Sequence, residues 1–264
     1  MRKFFRPAHV ERLKIAQAIG HVESRTRMAP VLSIMIGWRA SGEEVSVDMI
    51  AVLASGGLDS SVLIAQMASD AAVFPIYVRC GFSWEEEEIH ALQSFLDALN
   101  HPNVKSMTVL SAPAASLYGS HWSVTGAEVP AADEPDQNTY LPGRNILLIS
   151  LAAIWASTHE VSRVAIGSLG GNPFPDASPQ FFEAFGQVLS TGLGQKMLIE
   201  APMRGLHKED IIRRFQYLPL ELTLTCMAPR NSRHCGQCNK CFERREAFRQ
   251  ADIVDRTVYL GCVP

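Results

Sequence analysis

Between Asp48 and Met203 short apolar runs alternate with stretches of helical character, and that alternation constrains the fold more than any other feature of the chain. "MIAVLAS", "AVFPIYVRC", "VKSMTVLSA", "RVAIGS" and "KMLIEAPM" read as strands. Asp59–Ser69, Ser83–Asn100, Asn145–Ser157 and a segment near Pro179–Leu193 read as helices between them. The second of these opens with four glutamates, which suit the positive end of a helix dipole. Short apolar strands separated by helices build a parallel sheet covered on both faces. The expected fold class is therefore α/β, with about five parallel strands, and ligands are expected beyond the carboxyl ends of the strands.

A chain of 264 residues holds one large domain, or one with a small appendage. Hydrophobic residues at 47% and charged ones at 19% fit a globular protein with a substantial core. A net charge of −3 gives no strong nucleic-acid signal. No run approaches the ~18 apolar residues of a membrane span. The opening "MRKFFRPAHVERLKIAQ" spreads its charge too evenly for a signal peptide. A cytoplasmic location without membrane partners is the expectation. Residues 1–47 form an N-terminal extension of unknown role, with helical spacing at Val10–Ile19 and a strand-like run at Val31–Trp38. Residues 48–218 are expected to form the α/β domain and 219–264 a C-terminal metal-binding segment.

The first strand runs into Ser55-Gly56-Gly57-Leu58-Asp59-Ser60. Two glycines let the chain turn sharply and bring bare amides close to a ligand. The following helix aims its unpaired N–H groups and positive dipole end at the same spot. Ser55, Ser60 and Ser61 add hydroxyl donors, so the turn suits an anion with several oxygens, phosphate above all. No lysine follows, as a Walker loop would require, and G-x-G-x-x-G is absent. Without that lysine, Asp59 either caps the helix or faces Mg²⁺.

Four of the six cysteines crowd together as Cys226, Cys235, Cys238 and Cys241, a C-x8-C-x2-C-x2-C spacing. Two-residue gaps turn successive thiolates back onto one ion, and the distant fourth closes a tetrahedron. Four thiolates leave no position for water, so structural Zn²⁺ is expected, with an iron–sulfur cluster as the rival. Arg230, Arg233, Lys240, Arg244 and Arg245 can partly offset the thiolate charge, and His234 is a spare ligand. Cys80 and Cys262 read as packing residues, although Cys80, at the end of the second strand, is placed where a catalytic thiol could stand.

The string Ser55–Ser60 resembles the pyrophosphatase loop of the PP-loop family. That resemblance implies a Rossmann-like sheet and cleavage of ATP between its α- and β-phosphates, with an adenylated substrate as intermediate. "TYLPGRNILLISLAAIWA", "APMRGLHKEDIIRRF" and the cysteine block running into "ERREAF" and "DRTVY" narrow the likeness. In this order they resemble the 7-cyano-7-deazaguanine synthases, zinc-containing PP-loop ligases, from Asp48 to about Tyr259. The resemblance implies conversion of 7-carboxy-7-deazaguanine, ammonia and ATP into the nitrile. Ser55, Gly56, Gly57, Leu58, Asp59, Ser60 and Ser61 would then hold ATP and Mg²⁺, with Asp59, Ser60 and Lys208 serving catalysis. Arg144 and Asn145, at the helix opened by Pro142-Gly143, would contact both nucleotide and acid, and Phe174 and Asp176 the acid. Related enzymes are commonly dimers, so a homodimer is part of the same expectation.

Two departures stand out. Family members usually carry Tyr-Pro-Asp-Cys-Arg after the fourth strand, whereas this chain has Phe174-Pro175-Asp176-Ala177-Ser178. The 47-residue leader is extra. A second reading therefore keeps adenylation but passes the acyl group to an amine of a peptide or protein partner. Two others are a tRNA-modifying PP-loop enzyme and a nucleotide-binding zinc protein without turnover.

Overall fold

The computed structural model describes residues 48–260, and the readings made for Val10–Ile19, Val31–Trp38 and Cys262 lie outside them. Among the described residues there are five strands: β1 (Met49–Leu53), β2 (Ala72–Arg79), β3 (Thr108–Ser111), β4 (Arg163–Ile166) and β5 (Leu198–Glu200). All pair in parallel, in the order β3-β2-β1-β4-β5. The helices are α1 (Leu58–Met67), α2 (Glu85–Leu99), α3 (Ala115–Tyr118), α4 (Trp122–Thr125), α5 (Arg144–Ser157), α6 (Pro179–Leu193), α7 (Lys208–Arg214) and α8 (Asn239–Ala251).

The strand period sorts apolar side chains onto two faces. On β1, Ile50 and Val52 join Val62 and Leu63 of α1, Phe95 of α2, Ile211 of α7 and Phe248 of α8. Ala51 and Leu53 join Ile149 and Ala152 of α5 and Phe182 of α6 on the other face. Burial on both sides is what lets these strands be apolar throughout.

Two strands are shorter than their apolar runs. The run beginning at Val104 touches β2 there by a single bridge to Val73, and β3 starts only at Thr108, after exposed Lys105 and Ser106. β5 stops at Glu200, two residues before Pro202, which has no N–H to continue a ladder. Among the described residues no helix is long and apolar enough to cross a membrane.

From β1 the chain builds outward through β2 to β3, then returns past β1 to lay β4 on its opposite side. That reversal leaves a crevice beyond the carboxyl ends of β1 and β4. The two ends meet closely. A Cβ on Gly167, just after β4, would lie 3.1 Å from the backbone nitrogen of Ser60, so a side chain there would press on the first turn of α1.

Candidate active site

The crevice is a cleft of about 830 Å³, walled by the β1–α1 turn, the segments after β2 and β4, and the starts of α5, α7 and α8. At the turn, Gly56 has φ +71° and a Cβ there would sit 2.5 Å from the Glu88 carbonyl oxygen. Both the left-handed backbone and the close approach of α2 exclude a side chain. Ser60 braces the bend: its hydroxyl accepts from the Ser55 amide at 3.1 Å and donates to the Gly57 carbonyl at 3.2 Å. Leu224, from the segment leading to the cysteines, donates its amide to Gly56 O at 2.8 Å. No side chain caps α1, so its first amides are left for an anion or solvent. Asp59 is therefore not the helix cap.

Ser55, Gly57, Leu58, Asp59 and Ser60 line the cleft. Gly56 shapes the turn from behind, against α2. Ser61 does not reach the wall; it is fully buried, and its hydroxyl has no partner.

Lys208 begins α7 after a short turn from β5. Its Nζ lies 3.4 Å from Asp59 Oδ2 and 2.5 Å from Glu243 Oε1. Lys240 closes the array from α8, 2.6 Å from Glu243 Oε2. Burial pushes the Asp59 carboxyl up against the pull of Lys208, while the two lysines outweigh burial at Glu243 and hold it down to about 2. Sequence reasoning missed Glu243 and gave Lys240 only the task of offsetting thiolate charge. Their signal was present, since the cysteine spacing places both on the first turns of the helix that starts at the metal ligands.

Among the described residues four buried polar atoms of cleft-lining side chains have no hydrogen-bond partner: Asp59 Oδ1, Ser168 Oγ, Arg144 Nε and Asn239 Oδ1. Such atoms are rare in native interiors, and a shared cleft is the simplest place for a ligand to satisfy them. Ser168 lies just past the carboxyl end of β4, a position that the strand-end rule could have flagged.

Gly143 takes φ +75° ahead of α5, setting Arg144 over the Phe82 ring at 5.5 Å. Asn145 lines the cleft, and so does Phe174, which stacks on Tyr140 at 4.7 Å. Asp176 is placed differently from the other acid-site candidates. It is buried off the cleft wall, where Oδ2 accepts from the Asn145 amide at 3.1 Å and its carbonyl accepts from Asn145 Nδ2 at 3.0 Å. Its carboxylate thus serves the start of α5, a favourable place for negative charge. The departing Ala177 is buried, and its carbonyl accepts from Arg204.

Glu88 of α2 also lines the cleft and accepts from the Tyr77 hydroxyl at 2.8 Å. Burial raises the Glu88 carboxyl to about 7, although Arg144 and Tyr77 pull the other way. Cys80 is buried, bonds Val78 O through sulfur at 3.8 Å, and is raised by burial to about 11. That is the setting of a packing thiol rather than a nucleophile.

The Sγ atoms of Cys226, Cys235, Cys238 and Cys241 all lie within 4.8 Å of one another. Cys235 and Cys241 are 3.8 Å apart, and the tetrahedral Zn–S distance of ~2.3 Å predicts about that separation. The donor set therefore fits zinc. His234 is engaged elsewhere, its Nε2 accepting from the Thr225 amide at 2.9 Å, so the four sulfurs are the donor set that could hold an ion. Backbone amides of Gln237 and Cys238 both donate to Cys235 Sγ at 3.4 Å. Of the flanking cations, Arg244 is fully buried and held by Thr223, Thr225, Thr257 and Leu220 O.

The family model described as queuosine biosynthesis protein QueC matches residues 49–252. Among curated proteins, 7-cyano-7-deazaguanine synthase 1 of Desulfitobacterium hafniense is 31% identical over 76% of this chain and 91% of its own length. The 7-cyano-7-deazaguanine synthase of Nostoc punctiforme is 31% identical over 79% and 98% respectively. That of Methanoculleus marisnigri is 32% identical over 78% and 96%.

Proposed function

Since the chain belongs to the family of queuosine biosynthesis protein QueC, we propose that it is an ATP-dependent ligase making 7-cyano-7-deazaguanine from 7-carboxy-7-deazaguanine and ammonia. The observation that carries this reading is the convergence of Asp59 Oδ1, Ser168 Oγ and Arg144 Nε, all unpartnered, on one cleft beside an uncapped helix start.

Amides at the start of α1 receive the phosphates. A carboxylate oxygen of the acid attacks the α-phosphorus, the α–β anhydride bond breaks, and pyrophosphate leaves. Lys208 meets the negative charge that gathers there. Ammonia then displaces AMP to give the amide. The amide oxygen then attacks the α-phosphorus of a second ATP, pyrophosphate and one N–H proton leave, and departure of AMP with the last N–H proton yields the nitrile. Mg²⁺, when bound, neutralises phosphate charge, and the free Asp59 Oδ1 is the oxygen that would hold it. Arg144 and Asn145 position the acid against that centre, with Phe174 and Tyr140 offering an aromatic face. Cys226, Cys235, Cys238 and Cys241 would hold Zn²⁺ in a structural role, which would fix the start of α8 and hence Lys240 and Glu243.

Purified protein given ATP, the acid and an ammonium salt is expected to yield the nitrile, AMP and pyrophosphate by mass spectrometry. ADP and orthophosphate as the first products would overturn the reading.

The segment 176–178 favours one second reading, since its carboxylate is committed to α5 and the Cys-Arg pair of the family is missing. In it the same adenylate passes to an amine of a peptide or protein. Nitrile formation with ammonium as the sole nitrogen source removes the reason for it.

A further inference from the structure

We propose that Glu88 is the proton acceptor for the nitrogen nucleophile, an inference that rests on the ligase reading above. Its place in the fold supports this. The first turns of α2 press against the phosphate-binding loop so closely that the Glu88 carbonyl excludes any side chain at Gly56. Glu88 also lines the cleft, together with Ser55, Asp59 and Arg144. Tyr77, from β2, fixes one oxygen by a 2.8 Å hydrogen bond. Arg144, which begins α5 on the acid side, also acts electrostatically on Glu88. Glu88 is thus placed between the loop that would hold ATP and the residues that would hold the acid.

The reaction needs such a group. Near neutral pH ammonia is mostly ammonium, which has no lone pair to attack with. Even as free ammonia, the nitrogen must shed a proton when it adds to the carbonyl carbon. In that step the C–N bond forms, the C–O bond to AMP breaks with its electron pair leaving on the phosphate oxygen, and the N–H proton passes to Glu88. In the dehydration the imidoyl nitrogen gives up its last proton as the second AMP departs, and the same carboxylate, having released its first proton to solvent, is in place to take it. A base works best with a pKa near the working pH, and burial brings Glu88 to about 7. The groups acting on it are Tyr77 and Cys80 from β2 and its end, Glu85 and Trp84 at the start of α2, and Arg144 from α5. Asp59 and Lys208 already form a mutual pair, and Asp176 is committed to α5, so neither carboxylate competes for the role.

The test separates adenylation from nitrogen transfer. Acid-dependent ATP–pyrophosphate exchange reports the first step and amide plus nitrile the second. In Glu88→Gln, exchange persists within about threefold of wild type, while product falls about 100-fold, the scale of a lost general base. The deficit shrinks at higher pH, where more ammonia is already unprotonated. Tyr77→Phe removes a bond that favours the ionised carboxylate, so the acidic limb of product formation moves to higher pH while that of exchange stays put. Unchanged product formation in Glu88→Gln overturns the proposal. So does a parallel loss of exchange and product, or a Tyr77→Phe profile that does not move. Absence of exchange in the wild type instead removes the ligase reading, and this inference with it.

Discussion

Lys208 Nζ lies 3.4 Å from Asp59 Oδ2, joining the start of α7 to the start of α1 at the cleft. Both side chains are largely shielded, at 11% and 28% exposure, so the pair is more than a surface contact. Phosphates arriving at the loop would share this cation. Lys208→Met is expected to cut the rate of product formation by about 10²–10³-fold, the usual scale for losing one charge-stabilising donor. Initial rates at saturating ATP and acid check it. A rate within about threefold of wild type, far short of that scale, would reassign Lys208 to a purely structural pairing.

Ser168 makes an unusual prediction because its two effects have opposite signs. Its buried hydroxyl bonds nothing, so Ser168→Ala removes a desolvated polar group and should stabilise the ligand-free protein by about 1 kcal/mol. If the hydroxyl serves a ligand, the same change raises the half-saturating concentration of ATP or acid about fivefold. Thermal melting and substrate titration are read on the same preparation. A variant that is both less stable and unaltered in binding would show that the hydroxyl has a partner within the protein.

Gly56→Ala places a methyl group 2.5 Å from a backbone carbonyl and holds alanine at φ +71°. The neighbour is main chain and cannot swing away, so α2 or the loop must shift. A loss of about 1–3 kcal/mol follows from strain of this kind. Melting should fall by several degrees, and ATP–pyrophosphate exchange should fall with it. Wild-type melting and exchange would mean that the turn is looser than its geometry.

These positions differ in how far they could be read from sequence. The phosphate loop is contiguous, and its strand, glycines and helix start are all local signals. The cysteines were legible because two-residue spacing is itself a geometric statement about one ion. Five strands were found, with β3 and β5 overextended because apolar content does not mark where a strand leaves its neighbour. Glu243, Ser168 and Glu88 come from three separate elements and meet only through the strand order β3-β2-β1-β4-β5. Asp176 shows the opposite limit. Its neighbours Phe174 and Pro175 suggested substrate contact, yet its carboxylate is committed to the Asn145 amide, a partner 31 residues away.

The cysteine cluster and the cleft are joined by one helix. Cys238 is the cap residue of α8, Lys240 and Cys241 lie in its first turn, and Glu243 begins the next. Cys238→Ser is expected to lose bound zinc, measured by elemental analysis against the wild-type chain, and to lower both melting temperature and turnover. Zinc retained at full occupancy in this variant would refute the four-thiolate assignment. Chelation of the wild type should reproduce the loss, since the metal's binding energy is part of the folding energy.

Glu88 connects stability to pH in a direction opposite to that of a salt-bridged carboxylate. Burial raises it to about 7 from an ordinary 4.5, so the folded state binds the extra proton between those values. Stability from this group is therefore greatest at the acidic end of that window and falls as pH rises through about 7, where a buried charge must be carried. Glu88→Gln supplies a neutral isostere and removes the penalty. At about pH 8 the variant should be more stable than wild type by about 1–2 kcal/mol, a figure reduced from the full linkage value because the carboxylate is partly open to the cleft. The advantage should disappear below about pH 4.5, where both states of the wild type are protonated. Denaturant titrations at about pH 8 and about pH 4 measure the two ends. A stability advantage of the Glu88→Gln variant that is independent of pH would mean that the carboxylate is ordinary, and would take away the physical reason for assigning it a proton.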